Sequence, residues 1–404
     1  MLMAVAFPVC GIANNTLNVK SYAAYGDGIH DDTKSINNCL AAAASLGDNI
    51  YFPAGVYLVN KNVGTVILQY NAGGQSNINI YGAGNSQSVI LTTKDTTCTQ
   101  LYIWAYAKCY NIQIRGLTFS NTHHSTVIGQ TNAMYVTGTG QNLINGIGWY
   151  NCAFSGFSNA LIMQGVHNPT LKLDSFYSPA GHNNAQPNNN PAVYVTFADN
   201  SNGQCYNADV EQNYASGYTG PLPILVPRPL DGFLYGFCYG GLVRNNTTTM
   251  FSQEEYYLQN PTTNPSTTAA FVFENNYIDC SITSGWTDGT GMPHKYNYGI
   301  RTEASHVTVR NNYFLNYTTG ILIYGYQFPL VSCTDYSITG NILIPGNDTT
   351  LYALGKSIFV QGTAQHPITG LVISNNHADS TSIFTTTCTN PMIYSNPPSA
   401  GLVP

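Results

Sequence analysis

Charged side chains are scarce in this chain, so a local group of them is a candidate for chemistry. Only 8% of the 404 residues are Asp, Glu, Lys or Arg. The segment YGIRTEASH carries Arg301 and Glu303 at alternate positions, with His306 three residues further on. A glutamate serves as acid, base or nucleophile on a glycosidic bond, an arginine binds a uronate carboxylate, and a histidine relays protons near neutral pH. We therefore predict Glu303 as the central catalytic residue, with Arg301 and His306 beside it.

Glycoside hydrolysis needs a second carboxylate, about 5 Å away in retaining enzymes and roughly 6.5 to 9.5 Å away in inverting ones. Two earlier segments, RPLDGFLYG and SQEEYYLQN, supply Asp231 and either Glu254 or Glu255. Neighbouring strands of a sheet lie about 4.8 Å apart, so carboxylates on successive strands fall within that range. Asp231 and Glu255 are therefore predicted as catalytic partners of Glu303, although the Pro- and Gly-rich loops between these segments leave the register open.

A second acidic group, in YGDGIHDDT, holds Asp27, Asp31 and Asp32 within six positions. It precedes TKSINNCLAAAASLG, whose alanines and apolar spacing indicate a helix that ends at Gly47. An aspartate in front of a helix accepts hydrogen bonds from the free N–H groups of the first turn. The group is therefore predicted to cap a helix, and an acid–base pair is the alternative.

Short runs of alternating apolar and polar residues recur along the chain and end alike, as in VTVRNNYF (307–314) and FVFENNYI (271–278). The positions aligned with Asn312 are 83, 117, 152, 176, 213, 246, 276, 312, 341 and 376. Alternation marks strands with one buried face, and repetition every 24–37 residues without a helical pattern indicates a parallel β-solenoid. Asparagine suits a left-handed turn, where its amide bonds to the coils above and below. An irregular β-sandwich is the alternative.

A second short strand precedes most of these runs, for example in AVYV, GIRT and GILI. Alternation predicts that its inward side chains are Val193, Val195, Ile300, Ile321, Ile323, Ile358 and Val360. The outward face is rich in aromatic rings and amides, which stack on sugar rings and bond to hydroxyls. The predicted substrate-binding residues on this face are Tyr135, Tyr194, Tyr324, Gln164 and Gln361. A plain solvated face, or one that packs against another subunit, is the alternative.

Charged residues, several of opposite sign on successive coils, recur at the position aligned with Arg310. The residues there are Asp174, Glu211, Arg244, Glu274 and Arg310. Opposite charges one coil apart are typical of a salt-bridge ladder. A site of chemistry at the pair Asp209 and Glu211 is the alternative.

The stretch NVKSYAAYGDGIHDDTKSINNCLAAAASLGDNIYFPAGVYLV (18–59) resembles the N-terminal signature of the pectate-lyase-like superfamily, which includes polygalacturonases and phage tailspikes. The resemblance implies an all-β, right-handed parallel β-helix of about ten coils with a short N-terminal capping helix. It also implies an extracellular or virion-surface protein that recognises cell-surface polysaccharide, either as a glycoside hydrolase or lyase or as a non-enzymatic adhesin or virion structural protein. A homotrimer is expected by analogy with tailspikes.

The expected organisation has four parts. Residues 1–17 are an apolar segment (a signal remnant or a docking segment), 18–60 the cap and first strands, 61–385 the β-helix, and 386–404 a C-terminal tail or cap.

Composition excludes several functions. The net charge of −6 offers no basic stripe for nucleic acid. The ten cysteines form no Cys-x-x-Cys or Cys/His pattern, so neither a metal site nor a cofactor is predicted. Buried thiols are favoured for these cysteines, with a few disulfides as the alternative. No apolar run approaches 18 residues, so no membrane span is predicted.

Overall fold

Short parallel strands recur along the chain and stack into three sheets, which makes the fold a parallel β-helix. The structure is a computed structural model. It describes residues 15–60, 64–65, 77–93, 99–105, 108–122, 132–138, 144–157, 159–179, 193–198, 205–219, 232–251, 254–259, 270–281, 297–325, 334–346, 356–364, 367–378 and 383–398. Each strand pairs in parallel with the equivalent strand of the next coil, so equivalent side chains form rows along the stack.

Sheet I contains the strands that end before the asparagine turns. Its strands are Thr16–Asn18, Asn49–Phe52, Asn79–Gly82, Cys109–Arg115, Ile144–Tyr150, Val166–His167, Thr170–Lys172, Cys205–Glu211, the second half of Gly232–Arg244, Phe271–Glu274, Val307–Arg310, Thr334–Thr339, Ile368–Ser374, Cys388–Thr389 and Met392–Tyr394.

Sheet II follows those turns. Its strands are Asp27–Asp31, Gly55–Leu58, Ser88–Thr92, Thr118–Asn121, Ala153–Ser155, Ser175–Pro179, Tyr214–Thr219, Thr247–Thr249, Tyr277–Asp279, Tyr313–Leu315 and Ile342–Ile344.

Sheet III contains the second set of strands expected from the sequence. Its strands are Gly64–Thr65, Thr99–Ala105, Asn132–Gly138, Asn159–Gln164, Val193–Phe197, the first half of Gly232–Arg244, Glu254–Gln259, Tyr298–Glu303, Thr319–Tyr324, Lys356–Gln361 and Ile383–Thr386.

Alternating side chains of all three sheets fill the interior of the solenoid. The seven residues predicted to point inward from sheet III are at most 2% exposed, which confirms that part of the alternation. Phenylalanines stack from coil to coil in sheet II, with ring centroids 5.3 Å apart between Phe119 and Phe154 and 4.9 Å apart between Phe154 and Phe176. The interior rows therefore fix the register of every strand.

A ladder of buried asparagines joins the coils at the turn between sheets I and II. Its members are Asn213, Asn246, Asn276, Asn312, Asn341, Asn376 and Asn396. Asn312 shows the pattern, because its Oδ1 accepts the backbone N–H of Asn276 at 2.9 Å. Its Nδ2 donates to the carbonyl of Phe273 at 2.9 Å and to Oδ1 of Asn341 at 3.0 Å. The prediction that asparagine amides bond between coils is confirmed from residue 213 onwards.

The ladder position was predicted wrongly in one coil. Phe176 is an interior residue of sheet II, and Asp174 occupies the ladder position instead. Asp174 Oδ1 accepts the N–H of Cys152 at 2.7 Å, and the Asp174 N–H is donated to Asn213 Oδ1 at 2.9 Å. The ladder therefore contains one carboxyl group among its amides.

The one α-helix among the described residues, α1 (Thr33–Leu46), packs at the N-terminal end of the stack, after a short 3₁₀-helix at Val19–Tyr22. Asp31 Oδ1 accepts the N–H of Thr33 at 3.0 Å. Asp32 occupies the N-cap position, but its carboxylate accepts the N–H groups of Tyr25 and Gly26. The acidic group therefore builds the turn before the helix, as predicted, but the side chain of the N-cap residue Asp32 does not bond to the first helical turn.

Strand pairing reaches nearly to both ends of the described residues. Residues 1–14 lie outside the described residues, and Thr16–Asn18 already pairs with the strand Asn49–Phe52. At the other end, sheet I continues to Met392–Tyr394 and the ladder to Asn396.

The cysteines that the structure describes are all free thiols, as favoured from the sequence. Six are buried (Cys39, Cys109, Cys152, Cys205, Cys238 and Cys280), and Cys388 is partly exposed. No helix in the described part of the chain is long and apolar enough to cross a membrane.

Candidate functional site

The outer face of sheet III carries two parallel rows of side chains, one residue of each row per strand. The first row runs Tyr102, Tyr135, Ile162, Thr196, Tyr235, Tyr257, Arg301, Leu322 and Phe359. The second row includes Trp104, Thr137, Gln164, Phe237, Gln259, Glu303, Tyr324 and Gln361. Aromatic rings, amides and one ion pair therefore share a face that spans the stack.

Glu303 lies at the centre of a hydrogen-bonded cluster on this face. Its Oε1 accepts the hydroxyl of Tyr257 at 2.9 Å and Nη2 of Arg301 at 3.0 Å. Its Oε2 accepts Nε2 of Gln259 at 2.8 Å. Gln259 Nε2 also lies within hydrogen-bond distance of the Tyr257 hydroxyl. With both oxygens engaged, the carboxylate fixes the orientation of three polar side chains.

Arg301 stacks on the ring of Tyr257, one coil earlier, with its guanidinium carbon 4.3 Å from the ring centroid. Its side chain is 20% exposed, whereas that of Glu303 is 2% exposed. Arg301 is therefore the charged group of the cluster that an incoming anion meets first. The predicted adjacency of Arg301 and Glu303 is present in the structure.

Glu255 does not join this cluster, contrary to the sequence prediction. It is fully buried, and burial raises the pKa of its carboxyl well above the usual range, although the Thr248 hydroxyl and the Phe251 backbone N–H partly oppose the rise. At the start of nine successive sheet III strands, the first residue that alternation would place outward is buried. Gly299, at the equivalent position of the next coil, is buried as well.

Tyr194 occupies the same covered position and was also predicted wrongly to face outward. Its ring is fully buried against Phe176 and Phe251, with centroids 5.4 and 5.8 Å away. Its hydroxyl donates to the carbonyl of Ser216 at 2.7 Å, and burial raises its pKa well above the usual value. Tyr194 therefore stabilises the interior and is not available for substrate.

The other predicted binding residues do lie on the face. Tyr135 is half-buried and stacks on Tyr102 at 5.1 Å with an interplanar angle of 12°. Burial, reinforced by Tyr102, raises the pKa of Tyr135. Gln164 lies nearly buried one strand further on, and Tyr324 and Gln361 pair in register with partial exposure.

His306 does not lie beside Glu303, as its predicted role as a proton relay requires. Its backbone φ is +58°, and this left-handed turn directs the chain from sheet III into sheet I. His306 Nδ1 lies 3.0 Å from Asp335 Oδ2 on the next coil. The histidine therefore bridges two turns of the stack, and the described contacts do not link it to Glu303.

Asp231 lies outside the described residues, and so does the side chain of Glu254. Among the side chains that the structure describes on the outer face of sheet III, Glu303 is the one carboxylate. Nor do the described residues contain a group of three His, Cys, Asp or Glu placed to hold a metal ion.

Sequence reasoning missed Tyr257 and Gln259, which contact Glu303 directly. In SQEEYYLQN the two glutamates drew attention, yet Tyr256 and Leu258 pair with the interior residues Ile300 and Thr302. Aligning the inward residues of YYLQ with those of GIRTE would have placed Tyr257 under Arg301 and Gln259 under Glu303.

The salt-bridge ladder predicted on the other face is present on sheet I with one correction. Lys172, not Asp174, precedes Glu211 in the row. Glu211 Oε2 lies 3.2 Å from Lys172 Nζ and 3.1 Å from Arg244 Nη2, and Glu274 pairs with Arg310 at 2.5 Å. Burial opposes the shift, but these hydrogen bonds lower the pKa of Glu211.

Comparison with known proteins identifies a matching family and structures with the same fold. Residues 16–292 match the family model described as rhamnogalacturonase A/epimerase, pectate lyase-like. Plasmin and fibronectin-binding protein A from Streptococcus pneumoniae is 50% identical over 52 residues, which cover 12% of this chain and 7% of that protein. The chain thus spans a small part of the curated relative.

Two solved structures share the fold at low identity. The surface adhesin PfbA of Streptococcus pneumoniae superposes with a TM-score of 0.62 at 15% identity, covering 90% of this chain and 86% of the adhesin. The Dettilon tailspike protein superposes with a TM-score of 0.56 at 11% identity, covering 90% of this chain and 62% of the tailspike chain.

Proposed function

The chain belongs to the rhamnogalacturonase A/epimerase, pectate lyase-like family, and from this we propose that it recognises a cell-surface polysaccharide along the outer face of sheet III. The observation that carries the proposal is the row that leads to Arg301, in which four of the six preceding residues are tyrosines, with Arg301 stacked on Tyr257 and held by Glu303. Aromatic rings stack on sugar rings, and a guanidinium binds a carboxylate in bidentate fashion.

The dimensions of the row favour an extended ligand. From Tyr102 to Phe359 the row crosses nine strands, which at about 4.8 Å per step is roughly 38 Å. The tyrosines at its N-terminal end are stacked on one another and only partly exposed, so they present ring faces in fixed positions. A rigid scaffold of this kind suits binding without a large loss of conformational freedom.

The chemistry of Arg301 favours an acidic glycan. Its positive charge is partly balanced by Glu303 and its side chain is partly exposed, and a guanidinium matches the geometry of a uronate carboxylate. A uronate brings a carboxylate to this partly buried cation, whereas a neutral glycan brings none. We therefore expect uronate-containing polysaccharides to bind more tightly than neutral ones.

Two variants and a control test recognition. We expect Arg301→Gln to weaken binding of a uronate oligosaccharide by about tenfold or more, in line with one charge-assisted hydrogen bond. Tyr135→Ala should weaken it by several fold through lost stacking. Arg310→Gln on sheet I serves as the matched control, because it removes the same charge from a different face. Equal affinity of wild type, the Arg301 variant and the control by calorimetry would refute the proposal.

A second candidate is enzymatic, and the same cluster favours it. Epimerisation and elimination on a uronate begin with removal of the proton next to the carboxylate, which a cation assists. Arg301 would neutralise the carboxylate, and Tyr257 would take the proton after passing its own to Glu303. In elimination the electron pair then forms a C=C bond and expels the glycosidic oxygen, which takes up a proton. In epimerisation a proton returns from the opposite face.

Catalysis is tested by products. Elimination gives an unsaturated, ultraviolet-absorbing end, epimerisation in D₂O incorporates deuterium, and hydrolysis gives a reducing end alone. Loss of one such product in Glu303→Gln, with binding retained, would support an enzyme. A panel of polysaccharides that bind and stay chemically unchanged would leave the adhesin function.

Location and assembly belong to the same proposal. We place the protein on a cell or virion surface, because adhesin and tailspike structures share its fold. A homotrimer is the expected assembly, and sedimentation equilibrium of the intact chain distinguishes it from a monomer.

A further inference from the structure

A groove with a volume of about 650 Å³ opens at the N-terminal coils of sheet I, on a different sheet from Arg301 and Glu303. Tyr81, Arg115 and Tyr150 line it, together with the amides of Asn79 and Asn151. They come from three neighbouring coils, and Tyr81, Arg115 and Tyr150 share one register position. The volume falls in the range of sites that hold a small organic ligand.

Tyr150 supplies a flat surface in this groove. A Cβ placed on Gly148 would lie 2.4 Å from Cε2 of Tyr150, so the ring lies back along the sheet over a position where only glycine fits. The guanidinium carbon of Arg115 lies 5.1 Å from the centroid of that ring. Within the described part of the chain, the hydroxyls of Tyr81 and Tyr150 make no hydrogen bond. The groove therefore combines ring faces with free hydroxyls and a cation.

Arg115 differs from the other cations in its row. Lys172 and Arg244 pair with Glu211, and Arg310 pairs with Glu274. Arg115 is exposed and donates to the amide of Gln113, and no described carboxylate lies within ion-pair distance of it. Its flanking positions in the row are Tyr81 and Tyr150 rather than acids. The row thus changes from a salt-bridge ladder to a cation between aromatic rings.

We propose that this groove is a separate binding site for an acidic sugar, a uronate residue of an oligosaccharide. The sugar ring stacks on Tyr150, its carboxylate pairs with the guanidinium of Arg115, and its hydroxyls bond to Asn79 and Asn151. A single cation beside aromatic rings and amides matches one carboxylate per sugar. The site does not rest on the proposed function, because none of its residues lies on sheet III.

The test uses the intact protein with Arg301→Gln as background, so that binding at sheet III is reduced. Trigalacturonate and trimannuronate are the probes, and a neutral trisaccharide and AMP are the comparisons. We expect one uronate site by calorimetry, weakened about tenfold or more by Arg115→Gln and by several fold by Tyr150→Ala. Arg310→Gln, in the same row, should change the affinity less than twofold.

Three outcomes overturn the site: neither uronate binds, the Arg115 variant binds as well as the background, or the neutral sugar or AMP binds more tightly than both uronates. The two proposals fail separately. If Arg115→Gln in the wild-type chain has no effect while Arg301→Gln does, the groove is refuted and sheet III stands. The opposite result refutes sheet III alone.

Discussion

Replacing Asp174 by asparagine should stabilise the protein, because Asp174 is a carboxyl group in a ladder built for amides. Asn213, the ladder residue of the next coil, donates from Nδ2 to the carbonyl of Leu171 at 3.0 Å. An asparagine at position 174 would place an NH₂ group in the equivalent position of its own coil. Asp174 has an oxygen there instead, and this Oδ2 is buried without a hydrogen-bond partner among the described residues. Burial raises the pKa of Asp174 well above its usual range, although N–H groups including that of Cys152 partly oppose the rise.

The size of the effect follows from two contributions. At pH 3 both side chains are neutral, and the asparagine gains one additional buried hydrogen bond, about 1 kcal/mol. The carboxyl of the unfolded chain ionises near pH 3.9, whereas that of the folded chain stays protonated. The wild type then loses about 1.4 kcal/mol for each pH unit above that value, until the pH reaches the pKa of the folded state. The advantage of Asp174→Asn therefore grows from pH 4 upwards.

Urea denaturation of wild type and Asp174→Asn at pH 3, 5 and 7 measures this difference. Asn276→Asp is the matched control, because it places a carboxyl in the same ladder three coils further on. It should reproduce the pH dependence with the opposite sign. If the Asp174→Asn advantage is constant from pH 3 to 7, Asp174 ionises alike in both states and the reasoning fails.

Three further substitutions probe the same architecture. The wild type should lose stability as pH rises above about 4.3, because Glu255 ionises in the unfolded chain while burial keeps it protonated in the folded chain. Glu255→Gln should remove this loss. If the stability of wild type and variant changes in parallel with pH, the prediction is wrong. Leu173→Asn should raise the free energy of unfolding by roughly 1 kcal/mol and with it the melting temperature, because Leu173 has a left-handed φ of +60°. The equivalent turns hold Asn245, Asn275 and Asn311. An unchanged melting temperature would contradict this prediction. Asn312→Ala should cost roughly 3 kcal/mol in urea denaturation, since it leaves buried partners on two coils unpaired; a cost below 1 kcal/mol would show that water replaces the amide.

The ladder could be predicted from the sequence wherever a left-handed residue and an asparagine follow a strand. The prediction failed at Asp174, because LKLDSFY was aligned with Leu171 in the place of Val307, whereas the structure makes Leu171 equivalent to Val309. Counting from the last inward residue of sheet I gives the right position, since Leu171 precedes Asp174 by three residues, as Val309 precedes Asn312. Spacing from the buried row is the physical constraint, and residue identity at the turn is secondary.

The site was predicted less well, because contacts between coils depend on loops of unequal length. Arg301 and Glu303 were placed on the correct face, since alternation within one strand decides that. Their contacts with Tyr257 and Gln259 cross 44 to 46 residues, and no local pattern reports them. Glu255 failed for another reason: the entry of each sheet III strand bends into the interior, where alternation no longer separates inside from outside.

Interior and surface carboxyls respond oppositely to pH, and their locations decide which response dominates. Burial raises the pKa values of Asp174 and Glu255 inside the solenoid, so stability falls as pH rises above about 4, where the same carboxyls ionise in the unfolded chain. Hydrogen bonds, first from the backbone N–H of His30, lower the pKa of Asp27. Hydrogen bonds from Lys172 and Arg244 lower the pKa of Glu211 against the effect of its burial. These two carboxylates therefore stabilise the fold more at higher pH. Those two groups lie at the surface, where water and salt screen them. The interior pair has no such screening, so the fold should be more stable in mild acid than at neutral pH.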